Sequence, residues 1–546
     1  MAETDARTAS RIALVRERFS AVFAASDRKS LEKRISELEI AADRMRDVPL
    51  ANGDAPMPLF IPALQDRSMQ SAVPTAPREP HRAAESEAEL KGDLPELARM
   101  LNSGEVSSVE LARESLHRLD TVGRSLNAVV SLLPDRAIRA AERADALRAS
   151  GAEVGPLTGI PCAVKDLFST VDAPTTWGAA PLRDQWLTPD AVVIQHLEAA
   201  GAVIVGKVAM VELAGGFGYQ QGNAALTGPG RNPWNVDHWA GGSSTGSGAV
   251  VASGCVPYAI GTETWGSITN PSALCGITGF RPTFGSVSRQ GAMALSWSMD
   301  KIGPMARSAH SCRTILKAIA HPDPADPATL APRHSSPRRG GDRLRFGVLR
   351  GAREGIEPES QSRFDAAVAV LAEIGSVELV DLPDLPWDEV ATVVILAEAA
   401  SAFEEFVAAG HSLELTAPED RSGLLEALSM PAVDYLRAQR IRTIGAGMMV
   451  DLFTKHDLLV APTEYRVAPL MDQFRPDYYA EHTGPSLGAA GNLCGLPSIS
   501  LPTGPGRLGL PTAIELMGAA WNDELVLAAG EEFQACTHWH TLQPPA

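Results

Sequence analysis

The chain contains no C-x-x-C pair and no surplus of positive charge. Its six cysteines, Cys162, Cys255, Cys275, Cys312, Cys494 and Cys536, are too few and too scattered to frame 546 residues with disulfides, which points to a reducing compartment. The start, Met1-Ala2-Glu3-Thr4-Asp5, has no basic segment leading into an apolar core, so the expected location is cytoplasmic. A formal net charge of −18 would repel nucleic acid and anionic lipid alike. The expected partner is therefore a small molecule, with no nucleic acid and no membrane. No His/Asp/Glu cluster has metal-ligand spacing, and neither a metal nor a cofactor is expected.

Charge is scarcest between His238 and Phe280, where Glu263 is the single formally charged side chain and six serines are interleaved with glycine. Serine, threonine and glycine interrupt every apolar stretch there well short of the ~18 residues that a membrane helix needs. The segment therefore reads as the interior of a large protein. Burying so many hydroxyls costs about 1–3 kcal/mol for each one left unpaired, so a dense hydrogen-bond network is required. Glycine lets the backbone approach closely enough to build it.

With 45% hydrophobic and 21% charged residues, the composition is that of a globular protein with one large domain and a smaller appendage. Residues 1–90 read as a helical extension and linker. Ile12, Val15, Phe19 and Val22 recur at helical spacing, and Leu31, Ile35, Leu38 and Met45 do so again after a break at Ala24 to Asp27. Seven prolines then fall between Pro49 and Pro80. The helical pair would serve either a homodimer or a hairpin folded on its own domain. Residues 91–546 read as the catalytic domain. Helical spacing at Leu94 to Leu119 and Ala137 to Ala149 gives way to short apolar runs at Ile160–Val164, Ala191–Ile194, Ala202–Val205, Leu344–Leu349, Leu458–Ala461 and Ser498–Leu501. These alternate with helical stretches at Gln195–Ala200 and Ser360–Ile374, so the expected class is α/β, a large mixed sheet flanked by helices. The stretch Pro322 to Gly341 reads as a surface excursion.

Two serines compete as nucleophile. Gly242-Ser243-Ser244-Thr245-Gly246 fits G-x-S-x-G, the turn of α/β-hydrolases, which would select Ser244. That pattern arises easily by chance in a Gly/Ser-rich segment, and none of the downstream histidines His456, His482, His538 and His540 sits in a recognisable setting. The wider arrangement is more specific. Gly159 to Asp166, Gly241 to Gly248, Gly261 to Gly279 with Arg281-Pro282-Thr283, Gly228-Pro229 with Asn232-Pro233-Trp234, Asp300-x-x-Gly303-Pro304, and Asn492 to Pro502 together resemble the amidase signature family of serine hydrolases.

The resemblance implies a catalytic lysine at Lys165, a bridging serine after a cis peptide bond at Ser243, and a nucleophile at Ser267, twenty-four residues further on. A lysine serves as base only when neutral, and desolvation by this uncharged segment would lower its pKa in the required direction. The resemblance places an oxyanion hole on the backbone N–H groups of Thr264, Trp265, Gly266 and Ser267. It also suggests Phe217, Tyr219, Trp265, Met293 and Trp297 as substrate contacts. Three departures stand out. Glu263, Trp265 and Thr269 occupy positions where the family commonly has Asp, Gly and Arg. Glu263 reads as a structural carboxylate, Asp166 as a hydrogen-bond acceptor, and Cys275 as core.

The implied activity is hydrolysis of a small-molecule amide, with ester or carbamate open to the same acyl chemistry. The alternative is the glutaminase (A-type) subunit of a tRNA-dependent amidotransferase. Trp265, Thr269 and the N-terminal extension argue for the first.

Overall fold

A computed structural model describes residues 2–51, 54–56, 92–218, 220–329, 343–473, 475–479 and 484–545. Tyr219, His482 and most of the proline-rich linker lie outside the described residues, as does much of the Pro322 to Gly341 stretch.

Among the described residues, eleven strands form one mixed sheet. In chain order the strands are β1 (Val129–Leu132), β2 (Pro161–Lys165), β3 (Val203–Val208), β4 (Arg231–Asn232), β5 (Asn235–Trp239), β6 (Tyr258–Glu263), β7 (Thr278–Arg281), β8 (Lys301–Ala306), β9 (Leu344–Leu349), β10 (Gly375–Val380), β11 (Leu458–Pro462), β12 (Ser498–Pro505) and β13 (Pro511–Gly518). The sheet order is β1-β3-β2-β6-β8-β7-β12-β13-β11-β9-β10, and β4 and β5 pair separately. Parallel pairing of β3, β2 and β6 brings Val164 opposite Ile260, so the ends of β2 and β6 emerge side by side. The central strands β2, β3, β8 and β11 are buried throughout, as expected of strands covered on both faces.

Sequence periodicity locates β2, β3, β9, β11 and β12, and the helix Pro358–Ile374. One apolar run departs from its expected state. Ala191–Ile194 is not a strand but the entry to the helix Val192–Ala199, which buries Val193, Ile194 and Leu197. A four-residue apolar run has no period that distinguishes a strand from a buried helix.

The N-terminal helix Arg28–Arg46 packs on the chain's own helices Trp387–Ala402 and Ala432–Lys455, while Ala2–Arg18 packs on Arg28–Arg46 and on Ala427–Ser429, and Ser20–Ala25 on His411–Glu414. Leu38, Ala41, Ala42 and Met45 share one apolar cluster with Val390, Val394, Ala438 and Ile441. Arg11 pairs with Glu39 at 2.6 Å, and Arg46 with the buried Asp434 at 2.8 Å. No helix among the described residues is long and apolar enough to cross a membrane.

Close strand packing at the centre leaves no room for side chains at certain glycines. A Cβ on Gly303 would lie 2.1 Å from the Phe280 carbonyl oxygen. Gly303→Ala is expected to force β7 and β8 apart and lower unfolding stability by about 1–3 kcal/mol, read as a reduced urea midpoint.

Candidate active site

Lys165 ends β2 and is fully buried. Its Nζ lies 2.8 Å from Ser243 Oγ and 2.9 Å from Thr262 Oγ1, and it forms no ion pair among the described residues. Burial lowers its pKa to about 7, against the weaker opposing pull of Asp300 and Glu263. A substantial neutral fraction at neutral pH gives it a free lone pair, so it can accept a proton from a hydroxyl. Ser243 follows a cis Gly242–Ser243 peptide bond, the arrangement that the resemblance implied.

Ser267 lies in the turn between β6 and the helix Thr269–Cys275. Its carbonyl accepts from Ser244 N at 3.3 Å, which joins the two serine segments. The Ser267 hydroxyl has no hydrogen-bond partner among the described residues, so the step from Ser243 to Ser267 is not closed by a hydrogen bond here. The backbone N–H groups of Thr264, Trp265, Gly266 and Ser267 likewise have no acceptor among the described residues. Donors left unspent at such a turn can receive an anionic oxygen. Gly266 sits at φ +88°, a conformation that a side chain would strain.

Glu263 is the anchor of this turn. One carboxylate oxygen accepts from Ile268 N at 2.9 Å and Thr269 N at 3.0 Å; the other accepts from Arg281 Nη1 at 2.7 Å and Asn492 Nδ2 at 3.0 Å. Burial would raise its pKa, but Arg281 outweighs that and holds it at about 2. Thr269 turns its hydroxyl onto the same carboxylate at 3.2 Å. On the other side, Thr264 Oγ1 donates to Asp300 at 2.6 Å, and Asp300 also accepts from the backbone of Leu295 and Ser296. Sequence reasoning missed the contacts made by Thr262, Arg281, Asn270 and Asn492. Their position within motifs was visible, but the convergence of Arg281 and Asn492 on Glu263 needs the sheet order.

The expected substrate contacts separate. Met293 and Trp297 line a cavity of about 250 Å³ with Leu167, Leu295, Thr262 and Thr264. Phe217 is buried away from that cavity, with ring centroids 5.7 Å from Phe403 and 5.9 Å from Phe406, a core contact. Trp265 is partly exposed and lies across Gly488, where a Cβ would come within 2.9 Å of the indole nitrogen. It is not among the residues lining the Met293 cavity.

Ser244 directly precedes the helix Thr245–Ala252 but does not cap it; its hydroxyl exchanges hydrogen bonds with the backbone of Thr262 at 3.2 and 3.3 Å. Neither His456, His538 nor His540 bonds to it. Asp166 pairs with Lys207 at 2.9 Å in full burial. Cys275 donates to the Ala240 carbonyl, and burial pushes its thiol pKa up.

A family model described as amidase matches residues 110–527. The chain belongs to the amidase signature family. The A subunit of the glutamyl-tRNA(Gln) amidotransferase of Chloroflexus aurantiacus is 36% identical over 474 residues, which are 81% of this chain and 96% of that protein. Among solved structures, the peptide amidase of Stenotrophomonas maltophilia is 29% identical with a TM-score of 0.71, covering 83% of this chain and 98% of its own. A chain from a vestigial protein complex tied to the origins of an s-triazine catabolic enzyme is 30% identical, with a TM-score of 0.74 and coverage of 83% and 100%.

These relatives overturn the expectation of no nucleic acid. The amidotransferase relatives that match this family member across nearly their whole length carry tRNA in their name, and being subunits they imply protein partners. Net charge summed over a whole chain does not decide what that chain works with. In an assembly, the surface that meets a polyanion need not belong to the component that carries the net negative charge.

Glu263→Ala would leave Arg281 buried without its main partner, with an expected stability loss of about 3–5 kcal/mol in a denaturant titration. Because the folded pKa of Glu263 is depressed, its stabilisation is present above the ordinary carboxyl value and is lost as pH falls toward about 2. The wild type should therefore show an acid-dependent loss of stability that Glu263→Gln lacks.

Proposed function

We propose that this chain hydrolyses an amide C–N bond through an acyl-enzyme. Ser267 attacks the carbonyl carbon as Ser243 takes its proton and passes its own to neutral Lys165. The carbonyl oxygen, now anionic, is received by the N–H groups of Thr264, Trp265, Gly266 and Ser267. The relay returns the proton to the leaving nitrogen as the C–N bond breaks. Water, deprotonated by the same relay, then releases the acid and restores Ser267. The observation that carries this reading is a buried lysine whose hydrogen-bond partners are two hydroxyls, at 2.8 and 2.9 Å.

The comparisons favour the glutaminase role over the small-molecule amidase as the setting for this chemistry. At 36% identity over almost the full length of the relative, they support a chain that releases ammonia from a carboxamide within a tRNA-dependent amidotransferase assembly. A second reading, hydrolysis of a small amide by the chain alone, draws on the peptide amidase likeness and on the apolar wall of Leu167, Met293 and Leu295.

Labelling the intact protein with a fluorophosphonate, followed by peptide mapping, tests the shared chemistry. A single adduct is expected on Ser267, absent in Ser267→Ala and retained in Ser244→Ala; an adduct on Ser244 would overturn the assignment. Lys165→Ala should slow labelling at least about a thousandfold. Ammonia release from glutamine against simple apolar amides then separates the two settings. Turnover by the chain alone on the apolar amides would favour the second reading, and silence on both despite Ser267 labelling would favour the first.

A further inference from the structure

Beyond the residues used above, Glu464 stands at the end of a short hydrogen-bond chain that reaches the backbone carrying Ser243. It follows β11 by two residues. Asn270 Nδ2 donates to Glu464 Oε1 at 2.6 Å, and Asn270 Oδ1 accepts from Gly242 N at 2.9 Å. The fit is tight: a Cβ on Gly241 would lie 2.7 Å from Asn270 Oδ1 and 2.8 Å from Pro271 Cα. Asn270 also donates its own N–H to the Gly266 carbonyl at 2.8 Å. One residue therefore ties the Gly242–Ser243 segment to the Ser267 turn.

An asparagine amide can sit in two ways that exchange its oxygen and nitrogen. Only one of them offers oxygen to Gly242 N–H while sending the NH₂ group toward Glu464. An ionised carboxylate can only accept, so it selects that orientation; a protonated carboxyl can donate, and loses the charge-assisted bond.

We propose that Glu464 is a positioning residue for this hydrolytic centre, acting through Asn270 to hold Ser243 and the Ser267 turn in register. This rests on the acyl-transfer reading of Ser267. Facing Glu464 are Asn270, Tyr479, whose hydroxyl donates to Oε2 at 3.4 Å, Arg475, stacked on the Tyr479 ring at 5.5 Å, and the carboxyl of Glu515 on β13. Burial raises the Glu464 pKa to about 7, with Asn270, Arg475 and Tyr479 opposing the rise and Glu515 adding to it. Proton uptake by Glu464 and by Lys165 then disables the same centre on the acid side.

The test is the pH dependence of the second-order rate of fluorophosphonate labelling at Ser267, measured on the full chain. Wild type should rise with a slope approaching two in log rate below about pH 7, because two protons must leave. Glu464→Gln, a neutral amide that can donate as well as accept and so stands in for the protonated carboxyl, should lose about tenfold on the plateau while the slope falls to one. Glu464→Leu should lose about ten- to a hundredfold on the plateau, and Glu464→Gln should change nothing further in an Asn270→Ala background. If Glu464→Leu does not fold, as read by its thermal melt, the slope of the Gln variant decides. Equal slopes in wild type and Glu464→Gln, with Ser267 still labelled, would overturn the role of Glu464 and leave the acyl-transfer reading intact. Failure of wild type to label at Ser267 would overturn both.

Discussion

The buried pair of Glu263 and Arg281 is the constraint on which the site's geometry depends. Two full charges in a dry interior are costly unless their remaining lone pairs and protons are also met. Here the carboxylate is saturated by Arg281, Asn492 and two backbone N–H groups, and those N–H groups belong to Ile268 and Thr269, directly after Ser267. Drawing them onto Glu263 fixes the direction of the turn. The N–H groups immediately before are left facing away from any protein acceptor among the described residues, which is the condition an oxyanion site requires.

Three lysines are buried within this part of the sheet, and their partners distinguish them. Lys207 meets Asp166 at 2.9 Å and the Pro174 carbonyl at 2.8 Å. Lys301 donates to the Met299 carbonyl and lies close to Glu263 and Asp300 as well as Arg281. Of the three, Lys165 is the one bonded to two hydroxyls, groups that can give as well as receive a proton. The nearby carboxylates would stabilise its charged form, but Glu263 is committed to Arg281 and Asp300 to Thr264 and two backbone N–H groups. Desolvation therefore dominates at Lys165. The same burial at Lys207 is met by a carboxylate, and the result is a structural pair.

Much of this was legible in the sequence because the signals were local. The strands β2, β3, β9 and β11 announce themselves as short apolar runs, and the glycine-spaced serines mark the site region. What the sequence did not disclose depends on distant pairing. The resemblance suggests Phe217 as a substrate contact, yet its ring meets Phe403 and Phe406 from a helical region nearly two hundred residues away. The link from Asn270 to Glu464 spans a comparable distance and follows from the placement of β11 beyond β13. The run Ala191–Ile194 fails for a different reason: it is too short to carry any period.

The three departures from the common family pattern are not independent changes. A glutamate is one methylene longer than an aspartate, and Glu263 uses its two oxygens on opposite sides, one for the turn and one for Arg281 and Asn492. Threonine at 269 adds a hydroxyl donor to that carboxylate where a second buried arginine would compete with Arg281 for it. Trp265 extends from the same turn over Gly488, the first residue of the helix that supplies Asn492, and only a glycine there leaves space for the indole. The altered residues thus close on one another through Glu263 and the Gly488–Leu493 helix. A substitution at Glu263 or Thr269 would act on the Ser267 turn through this carboxylate, and one at Trp265 through its contact with Gly488.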